Sequence, residues 1–236
     1  MIVNDGISEK AKSKKLNKFF LRTCIALLFA VVCITVNAQP FEKEIAAFKK
    51  QDSISFPPAK AILLVGSSSF RLWKEVQEYF PGYTIINRGF GGSGFPDLLR
   101  YADDIILPYN PRQIIIYCGE NDFGANDTLS PGQVTQRFIQ LFTIIRKKYK
   151  KVSITYVSMK PSPSRAKLLT KFEAANAMIK EFLEKKKRTD YIDVYHAMLN
   201  EEGKPMPDIF LPDRLHMNAK GYAIWQKIMQ PYLIKN

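Results

Sequence analysis

A histidine near the carboxyl end of the chain follows an aspartate at a spacing that suits acid–base chemistry. His216 is one of 2 histidines in the sequence, and Asp213 precedes it just ahead of an amphipathic final segment. In a turn that leads into a helix, this spacing lets the carboxylate bond one ring nitrogen, which fixes the tautomer and stabilises the imidazolium. The pair predicts a general base oriented by a carboxylate, although a histidine that only caps or packs gives the same pattern. The other histidine, His196, follows the last predicted strand and is interpreted as structural.

A run of serines supplies a hydroxyl on which such a base could act. Ser67, Ser68 and Ser69 follow an early apolar run and precede a helical pattern. A serine hydroxyl is inert until a base takes its proton, and a serine at a helix start has backbone N–H groups directed at the reacting atom. An ordinary capping run has the same composition. The segment is not the G-x-S-x-G turn, because Phe70 stands where the second glycine would be.

Two further segments carry groups that could stabilise an oxyanion. Gly92 lies in a glycine-rich stretch and can bring its backbone N–H close to a substrate, because it has no side chain in the way. Asn121 follows another apolar run and can offer a side-chain amide. Taken singly, each residue is also typical of a plain turn.

Five short apolar runs alternate with helical patterns and must position these groups. Such runs are typical of parallel strands buried on both faces, and the alternation predicts helices on both sides of a sheet. The predicted fold is a three-layer α/β/α sandwich around a flavodoxin-like five-stranded parallel sheet. Chemistry in such sheets gathers where the strands end, which is where the serines, Gly92 and Asn121 fall. The predicted strands are 61–65, 83–87, 113–118, 152–157 and 191–195, and the predicted helices are 41–50, 70–79, 96–107, 131–149, 165–187 and 218–233.

These segments together resemble the SGNH hydrolases, also called the GDSL-type esterase/lipase family, over residues 61–235. The motifs that carry the resemblance are Gly66-Ser67-Ser68 with Trp73, then Asn87 to Ser93, then Gly119-Glu120-Asn121-Asp122, and finally Asp213-Arg214-Leu215-His216. The resemblance implies that Ser68 is the nucleophile, that Asp213 and His216 complete the catalytic group, and that Ser68, Gly92 and Asn121 form the oxyanion hole. Two positions depart from the family pattern, since Ser67 and Ser93 stand where aspartate is usual. We expect these departures to alter supporting hydrogen bonds and to tune activity.

The resemblance implies a serine esterase that works through an acyl-enzyme and needs no metal or cofactor. Its expected substrate is a small-molecule or glycan ester, in particular O-acetyl groups on carbohydrates. One alternative is a lysophospholipase or thioesterase for longer acyl chains, with Phe90, Phe95 and Phe123 either lining an acyl pocket or packing in the core. Another is a non-catalytic glycan-binding module.

A dinucleotide-binding pattern is also present. Gly89, Gly91 and Gly94 match G-x-G-x-x-G after a predicted strand. The match falls in the second strand–helix unit, Pro96 closely follows it, and it leaves the aspartate–histidine pair unexplained. An esterase is therefore the favoured interpretation, and no nucleic-acid partner is expected.

The amino-terminal segment resembles a secretory signal. Basic residues precede an apolar run at 24–36, and Ala38 ends a small-residue cleavage pattern. The sequence thus predicts a signal peptide over 1–38 and a single domain over 39–236. The product would be periplasmic or extracellular, with no stable membrane insertion after cleavage. An uncleaved anchor, or a lipoprotein modified at Cys33, is the alternative.

Charge and cysteine content fit an exported globular domain. The formal net charge is +13 at pH 7, and the basic runs 146–151 and 180–188 are interpreted as solvated helix faces. Cys118 is the sole cysteine after residue 38 and lies in an apolar run, which predicts a buried thiol and no internal disulfide.

Overall fold

The computed structural model describes residues 40–235, which cluster into one compact unit built on a parallel sheet. The strand order is β2-β1-β3-β4-β5, the flavodoxin-like order, and every neighbouring pair is parallel. The predicted three-layer α/β/α fold is confirmed. The strands are β1 (Ile62–Gly66), β2 (Ile85–Gly89), β3 (Gln113–Tyr117), β4 (Ser153–Val157) and β5 (Thr189–Ile192).

Helices cover both faces of this sheet. Alternate strand residues enter two separate hydrophobic clusters, so that Leu63 and Val65 face one layer while Ile62 and Leu64 face the other. The first cluster includes buried residues of α1, α4, α5, α7 and α8, and the second includes those of α2, α3 and α9. The helices are α1 (Glu42–Ile54), α2 (Ser68–Arg71), α3 (Val76–Tyr79), α4 (Phe95–Arg100), α5 (Ala102–Ile105), α6 (Glu120–Ala125), α7 (Pro131–Lys148), α8 (Leu169–Glu184) and α9 (Ala219–Met229).

The prediction of one continuous helix over 70–79 is wrong. Two short helices, α2 and α3, replace it, and the chain tightens between them where the Lys74 N–H bonds the Leu72 carbonyl. This turn places Trp73 in the interior, fully buried and stacked on Tyr222 of α9 at 4.9 Å between ring centroids. Tertiary packing of one large aromatic side chain therefore overrides the local helical pattern.

Other boundaries differ for local reasons. The helix predicted over 96–107 is divided into α4 and α5 at Tyr101, and the one predicted over 165–187 begins as a 3-10 helix, Pro163–Leu168. The final helix passes into a 3-10 turn at Gln230, where Pro231 removes a backbone donor. Helix α6, directly after β3, was not predicted.

The signal-peptide, anchor and lipoprotein predictions lie outside the described residues. Between residues 40 and 235, no helix is long and apolar enough to cross a bilayer.

Candidate active site

Four segments of the chain bring the candidate residues to the carboxyl edge, which is the edge of the sheet at which the strands end. Ser68 begins α2 directly after β1, Gly92 lies in the loop after β2, and Asn121 lies in the first turn of α6 after β3. Because β2 and β3 pair with β1 on either side, the three segments converge. His216 arrives from the turn that precedes α9.

A continuous chain of hydrogen bonds joins Asp213, His216 and Ser68. His216 Nδ1 lies 2.6 Å from Asp213 Oδ2, and His216 Nε2 lies 2.9 Å from Ser68 Oγ. An ionised carboxylate only accepts, so Nδ1 carries the ring proton. Nε2 is then unprotonated and accepts from the serine hydroxyl, which is the tautomer that a general base requires.

The turn holds Asp213 in place through the backbone. Asp213 Oδ1 accepts the N–H groups of Leu215 and His216, each at 2.9 Å. Arg214, which lies between Asp213 and Leu215, adopts a φ of 58°, a left-handed conformation that closes the turn. The Leu211 N–H also donates to the His216 carbonyl at 2.7 Å. The imidazole is thereby fixed from both its ring and its backbone.

These bonds also set the charge of Asp213. Partial burial raises the pKa of its carboxyl group, but hydrogen bonds from the His216 ring and from the N–H groups of His216 and Leu215 outweigh that effect. The resulting pKa is about 2. The carboxylate is therefore ionised at neutral pH and can stabilise an imidazolium on His216.

The oxyanion candidates face each other across the β2 and β3 loops. A Cβ added to Gly92 would lie 3.8 Å from the Asn121 amide nitrogen, so the glycine backbone and the amide share one space. Among residues 40–235, the N–H groups of Ser68 and Gly92 donate to no protein acceptor. Both remain available to a substrate oxygen.

The two serines at the departures from the family pattern are structural partners of this region. The Asn121 amide donates to Ser67 Oγ at 2.7 Å and to the Ser93 carbonyl at 3.2 Å. The Ser93 hydroxyl donates to the carbonyls of Gly66 and Phe90, at 3.2 and 3.1 Å, and so ties the β2 loop to the end of β1. Ser67 therefore helps to hold the Asn121 amide, and Ser93 helps to hold both that amide and the β2 loop.

A buried ion pair beside Asn121 was missed in the sequence. Glu120 accepts from the Tyr117 hydroxyl, and its carboxylate lies 3.1 Å from Lys160 Nζ and 3.1 Å from the Lys160 N–H. Lys160, which follows β4, is 1% exposed. Burial and the nearby Glu120 charge raise the pKa of Tyr117, which keeps that hydroxyl a neutral donor. The sequence signal was a single lysine three residues after the end of a buried strand.

Asp122 performs a similar anchoring function on the other side of Asn121. Its carboxylate accepts the Phe95 N–H at 2.9 Å and pairs with Arg137 at 2.6 Å. Burial raises the pKa of Asp122 against the lowering effect of Arg137. The Gly-Glu-Asn-Asp motif therefore has two buried carboxylates that fix the direction of the asparagine between them.

A pocket of about 240 Å³ adjoins Gly92 and Asn121. Its lining is mixed: Asp97, Asn126 and Arg137 lie beside apolar groups that include Ala125 and Leu129. Phe90, Phe95 and Phe123 do not line an acyl pocket, since all three are fully buried in the core. Of the two roles considered for these phenylalanines, packing in the core is the one that the structure shows.

The remaining sequence candidates have other positions. Cys118 is a buried thiol, as predicted, and burial raises its pKa well above the usual range. His196 is not part of the core: it is exposed and bonded to Asp193, with 2.7 Å between Nδ1 and Oδ2. Within the part of the chain that the structure describes, no group of three or more side chains is arranged to hold a metal ion.

The dinucleotide pattern corresponds to packing positions. A Cβ at Gly89 would lie 2.6 Å from the Phe70 Cβ, and one at Gly94 would lie 2.9 Å from an Asp122 carboxylate oxygen. A Cβ at Gly91 would meet the Phe41 ring at 2.2 Å. These glycines admit neighbouring protein groups and leave no space there for a pyrophosphate.

A serine hydroxyl that is bonded to a histidine–aspartate pair, at the carboxyl edge of a parallel sheet, is the arrangement found in serine hydrolases. The profile of the GDSL-like Lipase/Acylhydrolase family matches residues 52–224, well over half of the chain and all the site residues above. The chain belongs to that family and is a hydrolase that acts on ester bonds.

Solved structures of similar fold include several esterases and lipases. A Streptococcus pneumonia protein named for platelet activating factor gives a TM-score of 0.73 at 20% identity, covering 90% of this chain and 99% of that one. A GDSL-like lipase from Bacteroides thetaiotaomicron gives 0.69 at 17% identity, covering 80% and 96%. A family 3 carbohydrate esterase from Clostridium thermocellum gives 0.55 at 16% identity, covering 74% and 97%. At these identities the likeness shows the fold. No curated protein matches the chain significantly.

Proposed function

We propose that this chain is an exported serine esterase that removes short acyl groups, above all O-acetyl groups, from carbohydrates. The observation that carries the catalytic part is the unbroken hydrogen-bond chain from Asp213 through His216 to Ser68. A serine so placed has its base within reach, and the base has its orienting carboxylate.

The reaction would proceed in two halves. His216 Nε2 takes the Ser68 proton as Oγ attacks the ester carbonyl carbon, and the carbonyl π electrons move to its oxygen. Collapse of this tetrahedral intermediate breaks the bond to the leaving alcohol, which receives the proton from His216. Water then attacks the acyl-enzyme with His216 again as the base, releases the acid and restores Ser68.

The oxyanion would lie between the free N–H groups of Ser68 and Gly92, with the Asn121 amide as the third donor. In the absence of substrate that amide is shared between Ser67 Oγ and the Ser93 carbonyl. To contribute, one of its N–H groups must turn towards the substrate oxygen. A donor of this kind is generally worth about 10²–10³ in turnover.

The pocket beside Gly92 and Asn121 supports a short acyl group. Because His216 protonates the leaving alcohol, the acyl group belongs on the side away from the His216 turn, which contributes none of the described pocket lining. The pocket holds only about 240 Å³, and a long apolar acyl chain there would also remove the charged groups of Asp97 and Arg137 from water, which is unfavourable. The likeness to a family 3 carbohydrate esterase supports a carbohydrate as the alcohol part.

A lipid or thioester substrate is the alternative, and the likeness to a GDSL-like lipase supports it. A non-catalytic glycan-binding module is a further alternative and would require binding without turnover. Export depends on the predicted signal peptide over 1–38 and leads to a periplasmic or extracellular enzyme.

The experiment compares hydrolysis of p-nitrophenyl acetate, butyrate and octanoate by the protein lacking residues 1–38, followed by acetate release from acetylated xylan. We expect kcat/KM to be highest for acetate and to fall with chain length. A preference for octanoate would contradict the short-acyl proposal and favour lipids or thioesters. Glycan binding with no turnover of any ester would contradict the enzymatic proposal altogether.

A further inference from the structure

Helix α1, most of which precedes the region matched by the family profile, makes a direct contact with the loop that carries Gly92. The Gly91 N–H donates to Glu44 Oε1 at 3.0 Å. The same carboxylate lies 3.8 Å from Nε of Arg71, the last residue of the helix that begins with Ser68. One side chain of α1 therefore touches both the loop with an oxyanion donor and the helix with the nucleophile.

Gly91 is fixed by shape as well as by this bond. Its φ of 34° lies in the left-handed region that favours glycine. A Cβ at Gly91 would lie 2.2 Å from Phe41 Cε1 and 3.0 Å from Glu44 Oε2, so the N-cap residue of α1 and Glu44 fill the space on that side. The conformation of Gly91 determines where the next peptide N–H points, and that N–H belongs to Gly92.

The helix that supports Glu44 is itself held firmly at both ends. Near its start, the Tyr101 hydroxyl donates to the Pro40 carbonyl at 2.7 Å. Near its end, Asp52 accepts from the Arg88 guanidinium and from the Tyr109 hydroxyl. Between these two anchored ends, the Ile45 side chain is buried in the core and only 3% exposed. Glu44 therefore lies on a helix that is fixed in place at both ends.

We infer that Glu44 is a positioning residue for ester hydrolysis, which directs the Gly92 N–H towards the oxyanion through its bond to Gly91. The inference rests on the proposed function, since it concerns the oxyanion hole of that reaction. Glu44 touches no reacting atom and acts through Gly91, so its removal should slow the chemical step more than it weakens substrate binding.

The test measures kcat and KM for p-nitrophenyl acetate in Glu44→Ala, Glu44→Asp and Glu44→Gln. Glu42→Ala is the matched control, because Glu42 is an exposed glutamate in the first turn of the same helix. A misplacement of about 1 Å can cost roughly 10²-fold in rate. We expect kcat to fall by about tenfold or more in the Ala and Asp variants, with KM within about threefold of wild type. Glutamine keeps an acceptor of the same reach, so Glu44→Gln should retain most of the activity.

Thermal unfolding of each variant separates positioning from folding, and the Asp–Gln comparison separates the hydrogen bond from the charge. Equal kcat in Glu44→Ala and Glu42→Ala would overturn the inference, as would loss of activity in Glu44→Gln with retention in Glu44→Asp. A kcat loss that only tracks the loss of folded protein would also overturn it. A wild-type protein that hydrolyses no ester would contradict the proposed function first, and the inference with it.

Discussion

At the scale of single residues, the chain contains two Asp-x-x-His turns with closely similar internal geometry. The Nδ1–Oδ2 distance is 2.7 Å for Asp193 and His196 and 2.6 Å for Asp213 and His216. Their surroundings differ, since the His196 side chain is 71% exposed while that of His216 is 22% exposed and meets Ser68. The Asp-x-x-His spacing is therefore common to both turns, and the contact with Ser68 is what distinguishes His216.

The two turns provide a matched comparison. We expect His216→Asn to lower kcat by a factor on the order of 10⁶, because among residues 40–235 His216 is the one base bonded to the Ser68 hydroxyl. His196→Asn should leave kcat within about twofold, since its effect is confined to the surface. Steady-state hydrolysis of p-nitrophenyl acetate by both variants checks this. A similar loss in both would argue that the histidines act through folding.

The lowered pKa of Asp213 has a consequence for stability against pH. Its folded-state value of about 2 lies below the ordinary value of about 3.9, so ionisation of this group stabilises the folded chain above pH 4. That contribution is lost as the pH falls from about 4 to 2. The Asp213 side chain is 47% exposed, which limits the effect to roughly 1 kcal/mol or less.

Asp213→Asn tests this linkage. The variant should lose part of the decline in unfolding free energy that the wild type shows between about pH 4 and pH 2. Urea unfolding at a series of pH values measures it. An unchanged pH dependence would mean that the carboxyl group has the same pKa in the folded and unfolded chain.

At the scale of elements, the existence of all five strands and the capped start of α7 were predictable, because both depend on local pattern. The bounds of β5 were not, since it spans Thr189–Ile192 where 191–195 was predicted. Ser130 and Gln133 make the reciprocal capping bonds that their spacing indicates. The split at Trp73 and the existence of α6 were not predictable, because they depend on partners distant in the sequence. Within the site, the four motifs could be recognised from the sequence. The Glu120–Lys160 pair could not, because its members are 40 positions apart and only the fold brings them together.

That pair links the start of α6 to the loop after β4, and its energetics can be tested by a double-mutant cycle. Lys160→Met leaves the Glu120 carboxylate buried without its cation, which we expect to destabilise the fold by about 3–5 kcal/mol. Adding Glu120→Gln should recover a large part of that loss, because no uncompensated charge remains. Urea unfolding of both single variants and the double variant measures the coupling. Additive effects would contradict a direct interaction.

At the scale of the whole molecule, the candidate active site and a cluster of basic residues lie at opposite edges of the sheet. The candidate site lies at the carboxyl edge, where three strand ends converge. A cleft at the opposite edge is bordered by Arg112, Lys148, Lys150 and Lys151, which contribute to the net charge of +13. The basic run that ends at Lys151 therefore borders the far edge, and the net charge of the chain carried no information about the ester site.

Covalent trapping with a fluorophosphonate tests whether Ser68 is the nucleophile. Mass spectrometry of the digested protein should show one adduct, on Ser68, with labelling abolished in Ser68→Ala and greatly slowed in His216→Asn. Ser69→Ala, which alters the next serine in the run, should label normally. An adduct on another residue would contradict the assignment of Ser68 as the nucleophile, as would ester hydrolysis that persists in Ser68→Ala.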